Sequence, residues 1–137
     1  MVSSIGVDIV DNIRFEKIIK KYGNKIALKI LSKYEYGEYI KSNFKIAYLS
    51  KKFAAKEALS KALGSGLYRN GVFPKLISIK HTDSGKPFFE LSKSLLESSN
   101  IKYNNIELSI SDTASQSIAF VVIETWVILK IISAIHP

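Results

Sequence analysis

The chain has 137 residues, 47% of them hydrophobic and 23% charged, a balance that suits one globular domain and excludes a disordered chain or a fibre. It has no cysteine, which excludes a disulfide scaffold, a thiolate metal site and a cysteine nucleophile. Its two histidines, His81 and His136, are too far apart to suggest a zinc site or a Ser-His-Asp triad. Twenty Lys and Arg, 18 of them Lys, stand against twelve Asp and Glu, and the net charge of +8 favours anionic partners: nucleic acid, anionic lipid, phosphorylated small molecules or an acidic protein.

The opening Met1-Val2-Ser3-Ser4 has no basic region and Asp8 interrupts the apolar run behind it, so the expected location is cytoplasmic. Val2 to Val10 is apolar and β-branched and predicts a strand with Asp8 near its end. Asp11 is placed to cap a helix over 12–22, which Gly23-Asn24 ends. A short apolar helix follows over 25–31, and Ser32-Lys33-Tyr34-Glu35 has the capping-box pattern of another. Ile46 to Leu63 predicts the longest helix, rich in alanine, with Gly64 where a left-handed cap belongs. Leu76–His81 and Pro87–Leu91 form a hairpin around the turn Asp83-Ser84-Gly85-Lys86. Ser92 caps a short helix to about Ser99, and Ile106–Ser111 and Ser117–Glu124 are strands joined by a polar turn. The expected class is α+β: a single domain with a mainly antiparallel sheet packed against one long helix.

Two carboxylates stand out. Asp8 ends an apolar strand, where a charge is costly without a partner. Glu57 lies inside the alanine-rich helix, and at 3.6 residues per turn Phe53, Glu57 and Lys61 share one face while Lys52 lies nearly opposite Lys61. Glu57 and Lys61 can form an ordinary surface pair contributing about 0.2–0.5 kcal/mol. If Asp8 approaches them, two carboxylates and a lysine face one cavity, a donor set suited to Mg²⁺ on a polyphosphate. The Gly64-Ser65-Gly66 loop could add backbone N–H groups for an anion, although it is not a P-loop: its lysine precedes the glycines.

Four blocks in order, Ile5-Gly6-Val7-Asp8-Ile9-Val10, then Lys52-Phe53-Ala54-Ala55-Lys56-Glu57-Ala58-Leu59-Ser60-Lys61-Ala62-Leu63-Gly64-Ser65-Gly66, then Gly85-Lys86-Pro87, then Leu108-Ser109-Ile110-Ser111-Asp112, resemble the holo-acyl-carrier-protein synthases, the small bacterial 4'-phosphopantetheinyl transferases. The resemblance implies transfer of 4'-phosphopantetheine from coenzyme A to a serine of apo acyl carrier protein, with release of adenosine 3',5'-bisphosphate, in fatty acid biosynthesis. It implies Mg²⁺ on Asp8 and Glu57, catalytic roles for Glu57 and Lys61, and coenzyme A contacts from Lys52, Lys61, Gly64, Ser65 and Gly66. It also implies carrier-protein docking at Arg14 and a trimer with active sites between subunits. Two features depart from the family: Asp112 stands where many members have histidine, and an apolar extension, 125–137, follows a transferase domain over 1–124. Glu124 and Lys130 interrupt the apolar run over 117–135, so a longer strand or a packed tail is expected there rather than a membrane contact. The alternative class is a small basic nucleic-acid-binding module that stacks bases on its seven tyrosines and seven phenylalanines; two arginines are few for it.

Overall fold

A computed structural model describes residues 1–98 and 105–125. The elements run β1 (Val2–Asp11), α1 (Asn12–Tyr22), α2 (Lys25–Ile30), α3 (Lys33–Lys41), α4 (Lys45–Leu63), a 3-10 turn (Pro74–Leu76), β2 (Ile77–His81), β3 (Pro87–Leu91), α5 (Lys93–Ser98), β4 (Asn105–Asp112) and β5 (Gln116–Glu124). The expected α+β class holds. β1, β5 and β4 form an antiparallel sheet in that order, and β2 and β3 form a separate antiparallel hairpin whose second strand packs beside β4. The run from Ser117 to Glu124 is thus a central strand, paired on both sides, and no helix among the described residues is long and apolar enough to cross a membrane. The extension lies outside the described residues beyond Thr125.

Local signals settle several boundaries. Ser32 and Glu35 complete the capping box of α3, Gly64 ends α4 in the left-handed region at φ 75°, and the Ser92 hydroxyl accepts the Leu95 N–H at 3.2 Å. Asp11 occupies the N-cap position of α1 but does not cap it: its carboxylate accepts from the Gln116 side-chain amide at 2.8 Å across the β1–β5 end. A long-range partner outcompetes the local one.

Helix α4 crosses β1 and β5 and is buried nearly all round. Ala54, Ala55, Ala58 and Leu59 are fully enclosed, together with Val10, Ala119 and Val121 of the sheet. The approach is closest at Gly6, where an added Cβ would lie 1.9 Å from the Ala58 carbonyl oxygen and 2.8 Å from the Ala62 nitrogen. Only glycine allows that contact, and it places the next inward residue of β1, Asp8, against the last turns of the helix. Gly6→Ala therefore forces strand and helix apart. A loss of about 3 kcal/mol is expected, the upper range for overpacking because the clash is with rigid backbone, and thermal denaturation of the variant measures it.

Candidate active site

Asp8 and Lys61 meet where β1 passes under α4. The Lys61 ammonium lies 3.0 Å from Asp8 Oδ1 and donates to the Val7 carbonyl at 2.9 Å. Lys61 therefore reaches across to the strand, and the simple i,i+4 surface pair with Glu57 is not what forms. Glu57 is half-buried beside them. Burial and the negative charge of Asp8 push its carboxyl above the usual glutamate value, against the pull of Lys61 and Arg14. Arg14, exposed on α1, holds its guanidinium 5.4 Å from the centre of the Phe53 ring and 6.0 Å from that of Phe15. The aromatic pair Phe15–Phe53, 5.2 Å apart edge to face, thus seats Arg14 next to Glu57.

The lysine just before Glu57 has a different role, one that sequence reasoning missed. Lys56 is completely buried; its ammonium ion-pairs with Glu35 and donates to the carbonyls of Ile30 at 2.8 Å and Pro74 at 3.0 Å. The Glu35 carboxylate also accepts the N–H groups of Ser32 at 3.0 Å and Ile79 at 2.9 Å. Burial pulls the Lys56 ammonium down to about 8, with Glu35 opposing. This fully satisfied network ties α4 to α3, the 3-10 turn and β2, so Glu57 extends from a helix whose rotation is fixed. The sequence signal was the capping box, which already turned Glu35 inward.

The loop after α4 differs from expectation. Its N–H groups are committed to the helix end: Gly64 donates to Lys61 O at 3.1 Å, and Ser65 and Gly66 donate to Ser60 O at 3.2 and 3.4 Å. They do not form an open cradle. What the loop does hold is the Ser65 hydroxyl, buried and without a hydrogen-bond partner among the described residues.

Lys52 lies apart from this cluster, as the helical wheel requires. It keeps only 5% of its surface, stacks 4.8 Å from the centre of the Tyr48 ring, and has no ion pair among the described residues. Burial lowers its pKa, with Glu35 and Glu38 opposing. It lines a cleft of about 260 Å³ with Tyr48, Gly85, Pro87 and Asp112. A buried ammonium with no counter-ion is costly, and an incoming anion would relieve that cost. The chain therefore presents two separate half-sites: Asp8, Glu57, Lys61 and Arg14 in one, and Lys52 and Asp112 in the other.

Residues 4–121 match the sequence pattern of the 4'-phosphopantetheinyl transferase superfamily. The chain is 39% identical over 127 residues to the holo-[acyl-carrier-protein] synthase of Nitrosomonas eutropha, covering 90% of this chain and 99% of that one. This chain belongs to the holo-acyl-carrier-protein synthase family. Solved structures of members superpose on it. The synthase of Neisseria meningitidis does so with a TM-score of 0.83 at 38% identity, covering 91% of this chain and all of that one. The Helicobacter pylori synthase in complex with coenzyme A has a TM-score of 0.74 at 33% identity, covering 88% and 99%. The Asp8, Glu57 and Lys61 cluster and the Lys52 cleft both lie within the matched region.

Among the described residues no three His, Cys, Asp or Glu side chains converge. Mg²⁺ needs no such cluster, because it keeps water and takes only one or two carboxylates alongside substrate phosphates. Asp8 and Glu57 are two carboxylates near enough for the charge of Asp8 to act on Glu57, a repulsion that a cation between them would relieve. In metal-free protein the Glu57 carboxyl is expected to titrate above the ordinary glutamate value. Asp8→Asn removes the opposing charge and should move it back down, a shift readable by NMR; a Glu57 titration indifferent to Asp8 would separate the two carboxylates.

Proposed function

We propose that this chain is a holo-[acyl-carrier-protein] synthase that moves 4'-phosphopantetheine from coenzyme A to a serine hydroxyl of apo acyl carrier protein, in fatty acid biosynthesis. The observation that carries the reading is the meeting of Asp8 on β1 with Glu57 and Lys61 on α4, in a chain matched along 4–121 to this superfamily. In the reaction the seryl oxygen forms a bond to the phosphorus bearing pantetheine, the P–O bond of the pyrophosphate breaks, and adenosine 3',5'-bisphosphate leaves. Such a transfer depends on positioning and charge neutralisation. Asp8 and Glu57 would hold Mg²⁺, which when bound neutralises and orients the pyrophosphate. Lys61 brings an ammonium to the same oxygens and is already steered there by Asp8 and the Val7 carbonyl. Glu57, whose hold on a proton burial and the charge of Asp8 strengthen, receives the seryl proton. The Ser65 hydroxyl, buried beside Gly64 and Gly66 and without a partner among the described residues, would reach a ligand only after a small shift of the loop. Arg14, at the rim on α1, meets the acidic carrier protein and orients it more than it adds affinity.

The second half-site supports a shared active site. Lys52, buried and unpaired, suits the phosphate at the adenosine end of coenzyme A, yet it lies across α4 from Lys61. The outer face of β1 and β5 is apolar: Ile5, Val7 and Ile9 are 60%, 49% and 58% exposed, and the partners of Val7 and Ile9 in the ladder, Phe120 and Ile118, are also exposed. Such a contiguous face is unusual for a monomer and suits contact between copies. A homotrimer joined there would set Lys52 of one subunit against Asp8 and Glu57 of the next. The chain works in the cytoplasm and needs neither nucleic acid nor membrane insertion for this reaction.

Mass spectrometry of apo carrier protein incubated with coenzyme A, Mg²⁺ and this protein should show a gain of one phosphopantetheine. Asp8→Asn and Glu57→Gln should each slow the transfer roughly a hundredfold or more, the scale for losing a preorganised charge-stabilising group, while leaving the circular dichroism unchanged. No mass gain with the wild-type protein would end the assignment. Asp8→Asn and Lys52→Glu, each strongly impaired alone, should recover activity in about a quarter of sites when the two are co-refolded, because each site draws its halves from different subunits.

A further inference from the structure

One titratable group in the Lys52 cleft has no role in the reaction described above. His81, the last residue of β2, lines that cleft opposite α4. The groups that face it are Glu38 from α3, Lys51 and Lys52 from α4, and Asp112 from β4. Both acids are engaged: Glu38 accepts from the Tyr48 hydroxyl at 3.0 Å, and Asp112 lies 3.9 Å from the Lys51 ammonium. On the hairpin itself, Lys80 and Lys86 pair with Glu90 at 3.0 Å and Glu107 at 2.8 Å. Two groups are left without an acidic or hydrogen-bonding partner among the described residues, the Lys52 ammonium and the His81 imidazole, on the walls of one cleft of about 260 Å³.

We infer that His81 takes up a proton as a phosphate monoester enters this cleft, and that the resulting imidazolium shares the phosphate with Lys52. Burial and the positive charges of Lys52 and Lys51 hold the imidazole below the usual histidine range, so it is neutral near pH 7. A phosphate dianion placed between histidine and lysines reverses the sign of the local field and favours the charged ring. Binding and protonation are then linked: the ligand binds more tightly as pH falls through the range in which His81 titrates, and each binding event draws a fraction of a proton from solution. The coenzyme A reading above supplies the identity of the ligand, because coenzyme A carries one phosphate monoester, on its ribose, and dephospho-coenzyme A lacks it.

Titration calorimetry in two buffers of different ionisation enthalpy measures both affinity and proton uptake. With coenzyme A at pH 7 the wild-type protein should take up more protons per ligand than His81→Gln. Its affinity advantage over that variant should reach about three- to fivefold at pH 6, the scale of a half-exposed ion pair, and shrink towards pH 8. Comparing two proteins with one ligand cancels the titration of the phosphate itself. With dephospho-coenzyme A the two proteins should not differ. His81→Lys, whose charge is permanent, should keep the affinity and lose the extra uptake; it keeps the test available should the glutamine variant misfold. Coenzyme A binding with the same proton uptake and pH profile in wild type and variants would remove His81 from the site and leave the transferase reading standing. No coenzyme A binding by the wild type would remove both.

Discussion

The contact between Gly6 and the backbone of Ala58 governs this molecule. A helix usually rests on a sheet at the distance that side chains impose; here there is none at the crossing, and α4 lies on β1 backbone to backbone. The alternation of the strand then puts Asp8 on the same face as Gly6, and the helical repeat brings Lys61 and Glu57 to it. The small residues Ala54, Ala55, Ala58 and Ala62 serve the same purpose along the helix, letting a nineteen-residue element sit deep in a small domain. The placement of Asp8 against the helix thus depends on a residue with no side chain.

A second constraint fixes the helix about its own axis. Lys56 and Glu57 are neighbours with opposite fates, one buried in a saturated network and the other at the site. Rotating α4 to bury Glu57 would expose Lys56 and leave Glu35 as an unpaired buried carboxylate, a costly arrangement. Helix α3 extends this control to the far side. Glu35 grips Lys56, and one turn later Glu38 accepts from Tyr48, whose hydroxyl also donates to the Glu35 carbonyl and whose ring carries Lys52. Both half-sites are therefore referenced to one short helix.

Much of this was legible in the chain itself where the physics is local. The capping box at Ser32–Glu35, the glycine cap at Gly64, the hairpin around Gly85 and the alanine-rich helix depend on neighbours in sequence, and they appear where their residue types place them. The bringing together of Asp8, Glu57 and Lys61 was foreseen as a condition, because the strand and the helix each displayed its residues, but the packing that joins them is a long-range fact. Asp11 shows the limit: a residue suited to capping was taken by Gln116, 105 positions away. Ser65 and Gly66 show another, since loop N–H groups that suit an anion suit a helix carbonyl equally well. Lys56 was hidden by its type, as a lysine in a basic chain gives no sign that it will be enclosed.

The charges at the site carry a consequence of their own. Asp8 and Glu57 are opposed by Lys61 and Arg14, so the formal charge of the four is zero in a protein whose total is +8. The long-range attraction for a polyanion is therefore generated elsewhere on the surface, by lysines with no part in the chemistry, and it fades with salt. The quartet itself offers no net pull. On the proposed reading, a divalent cation held by Asp8 and Glu57 would turn it electropositive, and a polyphosphate gathered by the surface field would then gain a reason to stay there. On that reading gathering and holding would fall to different residues, and ionic strength would weaken the first more than the second.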